Sequence, residues 1–216
     1  MKVLVFGASG GSGRAAVEQL VALGHEVSAF SRRGVLDPAL PVRTIEGDVM
    51  HAADVERAVA GQDAVIVTLG IRENPLRVRL LGPARTPLDV RSAGTRNIIA
   101  AMRTHGVRKL IVQTSYGVGD TRERLGFIDR LLFALLLKPQ MADTELQEAD
   151  VVRSGLDWIV VQPVHLTDGP AEAMPCVSTE GDISGRKVSR NSVGRFLAHA
   201  VQGSEFVGKS VTLSAN

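Results

Sequence analysis

Short apolar runs alternate along this chain with longer segments in which apolar residues recur every three or four positions. The first run, residues 2–6, has no polar alternation, which indicates a strand buried on both faces of a parallel sheet. From Ser12 to Gly24 the apolar positions follow the spacing of a helix. Because the two patterns keep alternating, the sequence predicts an α/β fold with a doubly wound, mainly parallel sheet and helices on both faces.

The same patterns predict the remaining elements. Further strands are predicted at residues 26–30, 42–46, 63–68, 109–113, 158–161, near 187–189 and at 211–214. Further helices are predicted from near residue 52 and over residues 88–105, 127–137, 141–153 and 192–201. The apolar run at 131–137 is interpreted as core, with a dimer contact as the alternative. Residues 168–185 have the composition of a loop, and the basic, proline-containing stretch 71–87 is interpreted as a lid or a disordered loop.

Length and composition fit a single domain. The 216 residues, of which 44% are hydrophobic, suffice for one α/β domain with a substantial core. A net charge of +2 and an aromatic content of 4% argue against a nucleic-acid-binding surface. The single cysteine, Cys176, allows no intramolecular disulfide, and no apolar run approaches the length of a membrane span. We therefore expect a cytoplasmic protein without nucleic-acid or membrane partners.

The junction between the first strand and the first helix is rich in glycine. Gly7, Gly10 and Gly13 are spaced three residues apart, so the turn can be tight and the backbone can approach a pyrophosphate without an intervening Cβ. The start of the helix offers free N–H groups and a partial positive charge to phosphates. A glycine triplet that follows a strand and opens a helix therefore predicts a dinucleotide site on a Rossmann-type domain.

The end of the second predicted strand bears on which dinucleotide is bound. Domains that prefer NAD usually carry an acidic residue here for the ribose 2′-hydroxyl, whereas a 2′-phosphate calls for arginine. This chain has Ser31, Arg32 and Arg33 and no acid at that point. NADP(H) is therefore the predicted cofactor, with a solvated basic turn as the alternative interpretation.

The carboxyl ends of the next strands supply further candidates. After the third strand, Asp48 could bond an adenine amino group beside the apolar Val49, or it could cap the following helix. After the fourth strand, Gly70 would let the backbone approach the ribose region of the cofactor. The fifth strand is followed, at the edge where open α/β sheets bind their ligands, by three residues with hydroxyl groups: Thr114, Ser115 and Tyr116.

Four segments of the chain resemble one family. They are GASGGSG, GDVMHAADVERAVAGQDAVIVTLG, AGTRNIIAAMRTHGVRKLIVQTS and SGLDWIVVQPVHLTD, which together span most of the first 168 residues. In these segments the chain is similar to the atypical short-chain dehydrogenases of the NAD(P)H-binding, NmrA-like superfamily, and most similar to the flavin reductase and biliverdin-IXβ reductase group. The resemblance implies an NADPH-dependent reductase that passes hydride to a planar conjugated acceptor, a flavin or a linear tetrapyrrole.

The resemblance also implies where the acceptor lies. In the family, the serine after the fifth strand and the histidine after the sixth line the substrate pocket, and they match Ser115 and His165. A histidine there can donate a proton or hydrogen-bond an anionic group near neutral pH. Residues 163–216 are predicted to form a small substrate-side portion of the single NAD(P)-binding domain. The group suggests a monomer, with a dimer as the alternative.

The chain departs from the short-chain alcohol dehydrogenases at one pair of residues. Their chemistry uses a tyrosine activated by a lysine four residues further on, on the same helix face. Tyr116 is the only tyrosine of this chain, and the residue four positions later is Asp120. Oxidation of secondary alcohols is therefore not expected. Two alternatives stay open: an NADP(H)-binding redox sensor of the NmrA-like type with little or no turnover, and an epimerase-like activity on a nucleotide sugar.

These arguments define a candidate site. The predicted catalytic residues are Ser115, Tyr116 and His165. The predicted cofactor-binding residues are Gly7, Ser9, Gly10, Gly11, Ser12, Gly13, Arg32, Arg33, Asp48, Val49, Leu69, Gly70, Thr114 and Pro163. No metal site is predicted, and the expected partner is a small-molecule substrate.

Overall fold

Ten strands and five α-helices alternate along the part of the chain that the computed structural model describes, which is residues 1–32, 39–71, 82, 86–124, 138–169 and 174–215. The strands are β1 Lys2–Phe6, β2 Glu26–Ser31, β3 Arg43–Glu46, β4 Ala64–Val67, β5 Lys109–Gln113, β6 Asp157–Pro163, β7 His165–Thr167, β8 Cys176–Ser178, β9 Lys187–Ser189 and β10 Lys209–Ser214. The helices are α1 Gly11–Ala22, α2 Ala52–Val59, α3 Val90–Thr104, α4 Lys138–Val152 and α5 Arg190–Gln202, with a 3₁₀ helix at Gly119–Arg124.

Eight of these strands form one sheet in the order β3-β2-β1-β4-β5-β6-β10-β8. Every neighbouring pair in it is parallel except β10 and β8. The carboxyl ends of the parallel strands therefore meet at one edge of the sheet. This is the doubly wound, mainly parallel α/β sheet that the alternation of patterns predicts.

Helices cover both faces of the sheet, as alternate side chains of each strand point to opposite faces. Val3 and Val5 of β1 are buried in the core under α1 and α5. Leu4 and Phe6 are buried on the other face, in the core under α2, α3 and α4. Because β1 is buried on both faces, it shows the continuous apolar pattern of its sequence. None of the helices in the described ranges combines the length and the apolar character that a bilayer crossing requires.

The structure corrects the prediction for residues 168–185. Within this stretch lies β8, which pairs antiparallel with the last strand through Cys176↔Ser214 and Thr212↔Ser178. A second, two-stranded sheet joins β7 and β9 in parallel. Of these three-residue strands the sequence predicts β9, near residues 187–189, but neither β7 nor β8, because so short a run is a weak signal until its pairing partner is known.

Most helix boundaries agree with the predictions to within two residues, and the largest difference is at the start of α4. The helix predicted over 141–153 begins at Lys138, so that Pro139 lies in its first turn. Proline is tolerated there because the first N–H groups of a helix have no partner within it. The helix predicted over 127–137 and most of the basic stretch 71–87 lie outside the described residues.

Candidate functional site

The order of the strands reverses between β1 and β4, and open α/β sheets bind their ligands at such a point. A cleft of about 250 Å³ opens there, at the carboxyl ends of the strands. Eleven of the predicted cofactor-binding residues line it: Gly7, Ser9, Gly10, Gly11, Ser12, Gly13, Arg32, Asp48, Val49, Leu69 and Gly70. The fold thus brings together residues that are up to 63 positions apart in the sequence.

The glycine turn has a shape that side chains would prevent. Gly7 has a φ of 77°, in the left-handed region, and its carbonyl accepts a hydrogen bond from the Gly10 N–H at 2.9 Å. A Cβ on Gly13 would lie 2.6 Å from Thr68 Oγ1 and closer still to the Gly7 carbonyl, so α1 starts directly against the ends of β1 and β4. Gly10 caps α1 without a side-chain hydrogen bond. The first N–H groups of α1 can therefore donate hydrogen bonds to phosphate oxygens.

Arg32 follows β2 directly and lines the cleft. Its Nη2 donates a hydrogen bond to Oγ1 of the buried Thr86 at 3.1 Å. The neighbouring Ser31 is buried at the end of β2. Neither residue is acidic, so the described end of β2 offers no carboxylate to a ribose 2′-hydroxyl. Arg33 lies outside the described residues.

Asp48 and Val49 follow β3 and form part of the cleft wall. Asp48 Oδ1 accepts a hydrogen bond from the Met50 N–H at 2.9 Å, and the Asp48 N–H donates to Asp54 Oδ2 at 3.0 Å. The Asp48 side chain thus stabilises the turn before α2 and does not bond the helix itself. The Val49 carbonyl accepts from Asn97 Nδ2 of α3 at 3.0 Å. These bonds hold both residues in place at the cleft.

The three predicted catalytic residues, together with Thr114 and Pro163, do not line the cleft. Three of them follow β5, Pro163 ends β6 and His165 begins β7. The Tyr116 N–H donates to the Pro163 carbonyl at 3.0 Å, and the Thr114 N–H donates to a β6 carbonyl at 2.8 Å. Thr114 and Pro163 are buried, Ser115 is half-buried, and His165 is exposed at the start of β7. No described residue hydrogen-bonds the His165 ring. Their roles therefore stay predictions.

The surroundings of Tyr116 do not favour ionisation. Burial raises the pKa of its phenol, Arg124 opposes that rise and Asp182 adds to it. Arg124 is itself paired with Asp182, with a nitrogen–oxygen distance of 2.7 Å. Asp120, four residues after the tyrosine, lies in the 3₁₀ helix. The phenol accordingly stays protonated near neutral pH and is not set up as a base.

A buried carboxyl group lies behind this part of the site. Thr114 Oγ1 donates to Glu148 Oε1 at 2.5 Å, and Gln162 Nε2 donates to the two carboxyl oxygens at 3.1 and 3.3 Å. A Cβ on Gly119, whose φ is 54°, would collide with Glu148 Oε2, so the 3₁₀ helix packs closely on the group. Burial raises the pKa of Glu148, the hydrogen bonds from Thr114 and Gln162 oppose that rise, and two nearby acidic side chains add to it. Sequence reasoning did not single out this glutamate.

The cleft contains further residues that sequence reasoning missed, among them Thr68, Arg91, Gln113 and Arg190. Thr68 Oγ1 donates to the last carbonyl of β1 at 2.9 Å, and the buried Gln113 Oε1 has no hydrogen-bond partner among the described residues. Their position at strand ends is a signal that could have found them. Arg91 packs against Gly70, where a Cβ would lie 3.0 Å from its Nη2. Arg91 reaches the cleft from α3, and Arg190 reaches it from the start of α5 after β9, a strand outside the main sheet, so strand order in the sequence does not place either arginine there.

A doubly wound parallel sheet with a glycine turn at its strand reversal and an arginine at the end of β2 defines a dinucleotide-binding domain. The chain belongs to the NAD(P)H-binding family whose model matches residues 7–203. The predicted superfamily is thereby confirmed, and so is a nicotinamide dinucleotide as the cofactor.

Solved structures of low sequence identity share this fold. A Rossmann-fold NAD(P)-binding family protein from Shigella flexneri has a TM-score of 0.70 at 24% identity, with 98% of this chain and 91% of that chain covered. For ChuY, an anaerobillin reductase from Escherichia coli O157:H7, the TM-score is 0.79 at 22% identity, with 99% and 97% covered. A short-chain dehydrogenase/reductase from Veillonella parvula, in complex with NADP, gives 0.80 at 15% identity, with 99% and 94% covered. The fold is that of NAD(P)-binding oxidoreductases.

Proposed function

We propose that the protein is an NADPH-dependent reductase that transfers hydride to a planar conjugated acceptor, a flavin or a linear tetrapyrrole. The observation that carries the choice of NADPH is the position of the Arg32 guanidinium in the cleft, directly after β2. A hydrogen bond from Arg32 Nη2 to Thr86 Oγ1, 3.1 Å long, holds it there. A guanidinium positioned there suits a 2′-phosphate, because its planar array of N–H donors binds two phosphate oxygens at once.

The other cleft residues fit the remaining parts of this cofactor. The N–H groups at the start of α1 would donate hydrogen bonds to the diphosphate, and the glycine turn leaves room for it. Asp48 and Val49 would contact the adenine, and Gly70 would lie along a ribose. NADPH, when bound, supplies the hydride.

The class of acceptor follows from the lack of a suitable base. Tyr116 has a phenol with a raised pKa, and Asp120 stands where an alcohol dehydrogenase would have lysine. A flavin or a linear tetrapyrrole needs no such base, because its conjugated system is already electron-poor. The similarity in fold to an anaerobillin reductase supports an acceptor of the tetrapyrrole kind.

In this proposal the substrate side consists of residues 163–216 and the segment after β5. Ser115 and His165 orient the acceptor above the carboxyl ends of β5 and β6. The His165 ring is exposed and is not engaged by any described residue, so it can donate the proton that accompanies hydride transfer. Tyr116 contributes packing and a neutral hydroxyl group.

The direct test uses the purified protein with NADPH and a panel of FMN, FAD, riboflavin and biliverdin isomers, followed by the nicotinamide absorbance. We expect NADPH to be oxidised with at least one of these acceptors. Tight binding of NADPH without oxidation across the whole panel would instead favour the redox sensor.

The role of Arg32 is tested by Arg32→Ala with both reduced cofactors. The variant should bind NADPH about tenfold more weakly, since a charged hydrogen bond to the 2′-phosphate is lost, and should bind NADH as the wild type does. Arg43→Ala is the matched control, because Arg43 is exposed at the amino end of β3, away from the cleft. Equal losses for NADPH and NADH would contradict the assignment.

A further inference from the structure

Arg190 is brought to the cleft by the small second sheet. It is the first residue of α5 and follows β9 directly. In that sheet Thr167 pairs with Ser189, so the residues that follow the two strands, Asp168 and Arg190, lie side by side. Arg190 Nη1 is 2.5 Å from Asp168 Oδ1. The substrate-side portion of the chain thus places a cation at the cofactor cleft.

The Arg190 side chain lies directly on the glycine turn. A Cβ on Gly11 would collide with the Arg190 Cδ and lie 2.9 Å from its Nε. Gly11 is the first residue of α1 and is not among the glycines with positive φ, so its backbone conformation does not itself require glycine. A side chain at position 11 would displace Arg190 from this place. The glycine thus leaves room for the arginine to lie on the turn, although the two are far apart in the sequence.

The partner that Arg190 has in this structure is easily replaced. The Asp168 side chain is 89% exposed, and ion pairs of this kind contribute little to stability because water screens them. A diphosphate at the start of α1 would offer the guanidinium a higher charge and a bidentate geometry. Asp48 is the only carboxylate among the described residues that line the cleft, and its side chain already bonds the Met50 N–H.

We propose that Arg190 binds the diphosphate of the dinucleotide and leaves Asp168 to do so. The inference rests on the proposed cofactor site and adds to it a residue from the substrate side. Asp168 directly follows β7, the strand that begins with His165 and that stays paired with β9.

The test measures the dissociation constants of NADPH and NADH by nicotinamide fluorescence. Arg190→Ala should weaken the binding of both cofactors by the same factor, about tenfold, because both carry the diphosphate. Arg190→Lys should recover part of the loss, since the charge remains and the bidentate geometry does not. Arg195→Ala is the matched control, because Arg195 lies on the same helix and does not line the cleft; it should bind both cofactors as the wild type does.

Asp168→Asn tests the exchange of partners. Removing the competing carboxylate should make the protein bind both cofactors about twofold more tightly. In the double variant with Arg190→Ala this increase in affinity should disappear. If Asp168→Asn still tightens cofactor binding when Arg190 is absent, the proposed exchange of partners is wrong. If Arg190→Ala, shown to be folded by circular dichroism, binds both cofactors as the wild type does, Arg190 does not bind the diphosphate. Wild-type protein that binds neither cofactor would overturn the proposed function itself. If Arg190→Ala loses affinity for NADPH but not for NADH, Arg190 lies at the 2′-phosphate, which would contradict the inference.

Discussion

The two halves of the candidate site are built differently. In the phosphate half, one short segment, residues 7–13, meets the ends of β2 and β4 in a single cleft. In the acceptor half, the predicted residues Ser115, Tyr116 and His165 come from two separate segments and lie outside that cleft. Behind this second half, Thr114 and Gln162 donate hydrogen bonds to the buried Glu148.

The difference reflects what each half has to recognise. Phosphates are bound by backbone N–H groups and by the absence of side chains, and a local run of glycines is enough to provide both. An organic acceptor is bound by side chains that several loops bring together. Changes in the first half should therefore affect cofactor affinity, whereas changes in the second half should affect turnover or stability and spare that affinity.

The largest effect is expected for Gly13→Ala. The added Cβ would press on the Gly7 carbonyl and on Thr68 Oγ1, and moving α1 away would spoil the phosphate site. Overpacking of this kind costs about 1–3 kcal/mol, so NADPH should bind roughly 10- to 100-fold more weakly. Isothermal titration calorimetry checks this. Gly203→Ala is the control, because nothing lies within 4 Å of a Cβ there; equal affinities for the two variants would contradict the close packing.

A smaller effect is expected for His165→Ala, and on a different quantity. Turnover with the best acceptor should fall about tenfold, because water can partly replace the proton donor, while the dissociation constant of NADPH should not change. Steady-state rates across the pH range and fluorescence titration measure the two. His199→Ala, an exposed histidine on α5, is the control. An unchanged rate at every pH would remove His165 from the catalytic residues.

The smallest effect is expected for Glu148→Gln, on stability. Burial, with Asp120 and Glu145 nearby, raises the pKa of Glu148, so the folded protein holds this proton more tightly than the unfolded chain. Its contribution to stability is complete below the ordinary pKa of glutamate and is lost as pH rises through the raised value. The glutamine cannot ionise, and the Tm of the variant should therefore fall less with rising pH than that of the wild type, by a few degrees.

Thermal unfolding, followed by circular dichroism at a series of pH values from acidic to neutral, measures how the Tm changes with pH. Exposed Glu205 gives the matched control, Glu205→Gln, which should keep the wild-type dependence on pH. Parallel pH profiles for the wild type and Glu148→Gln would mean that the buried carboxyl group does not take up a proton on folding.

Much of the fold could be predicted because its signals are local. The buried strand β1, the helical spacing of α1 and the turn between them all lie within the first 22 residues. The confirmed fold class follows from repeats of that unit. The three-residue strand β9 was predicted, but β7 and β8 were missed, because so short a run is a weak signal and their partners lie 20 to 40 positions away.

The site divides in the same way. The glycines, Arg32 and Asp48 could be predicted because they lie in the segments that follow β1, β2 and β3, and strand ends share one edge of a parallel sheet. Glu148 lies within a helix and carries no such mark, and Arg190 follows β9, a strand of the small second sheet whose end is not part of that edge. They reach the site only because α4 packs behind β5 and β6, and because β9 directs α5 towards the glycine turn.

The sequence by itself therefore determined the α/β class, the dinucleotide turn and the basic end of β2, since short-range spacing encodes all three. Only the tertiary structure decided which charged groups stand around them. It buried Glu148 against Thr114 and Gln162, and it placed Arg190 on Gly11 beside Asp168. The physical reason is that a turn is formed by neighbours in the chain, whereas the charges around a cleft are set by the packing of elements far apart in it.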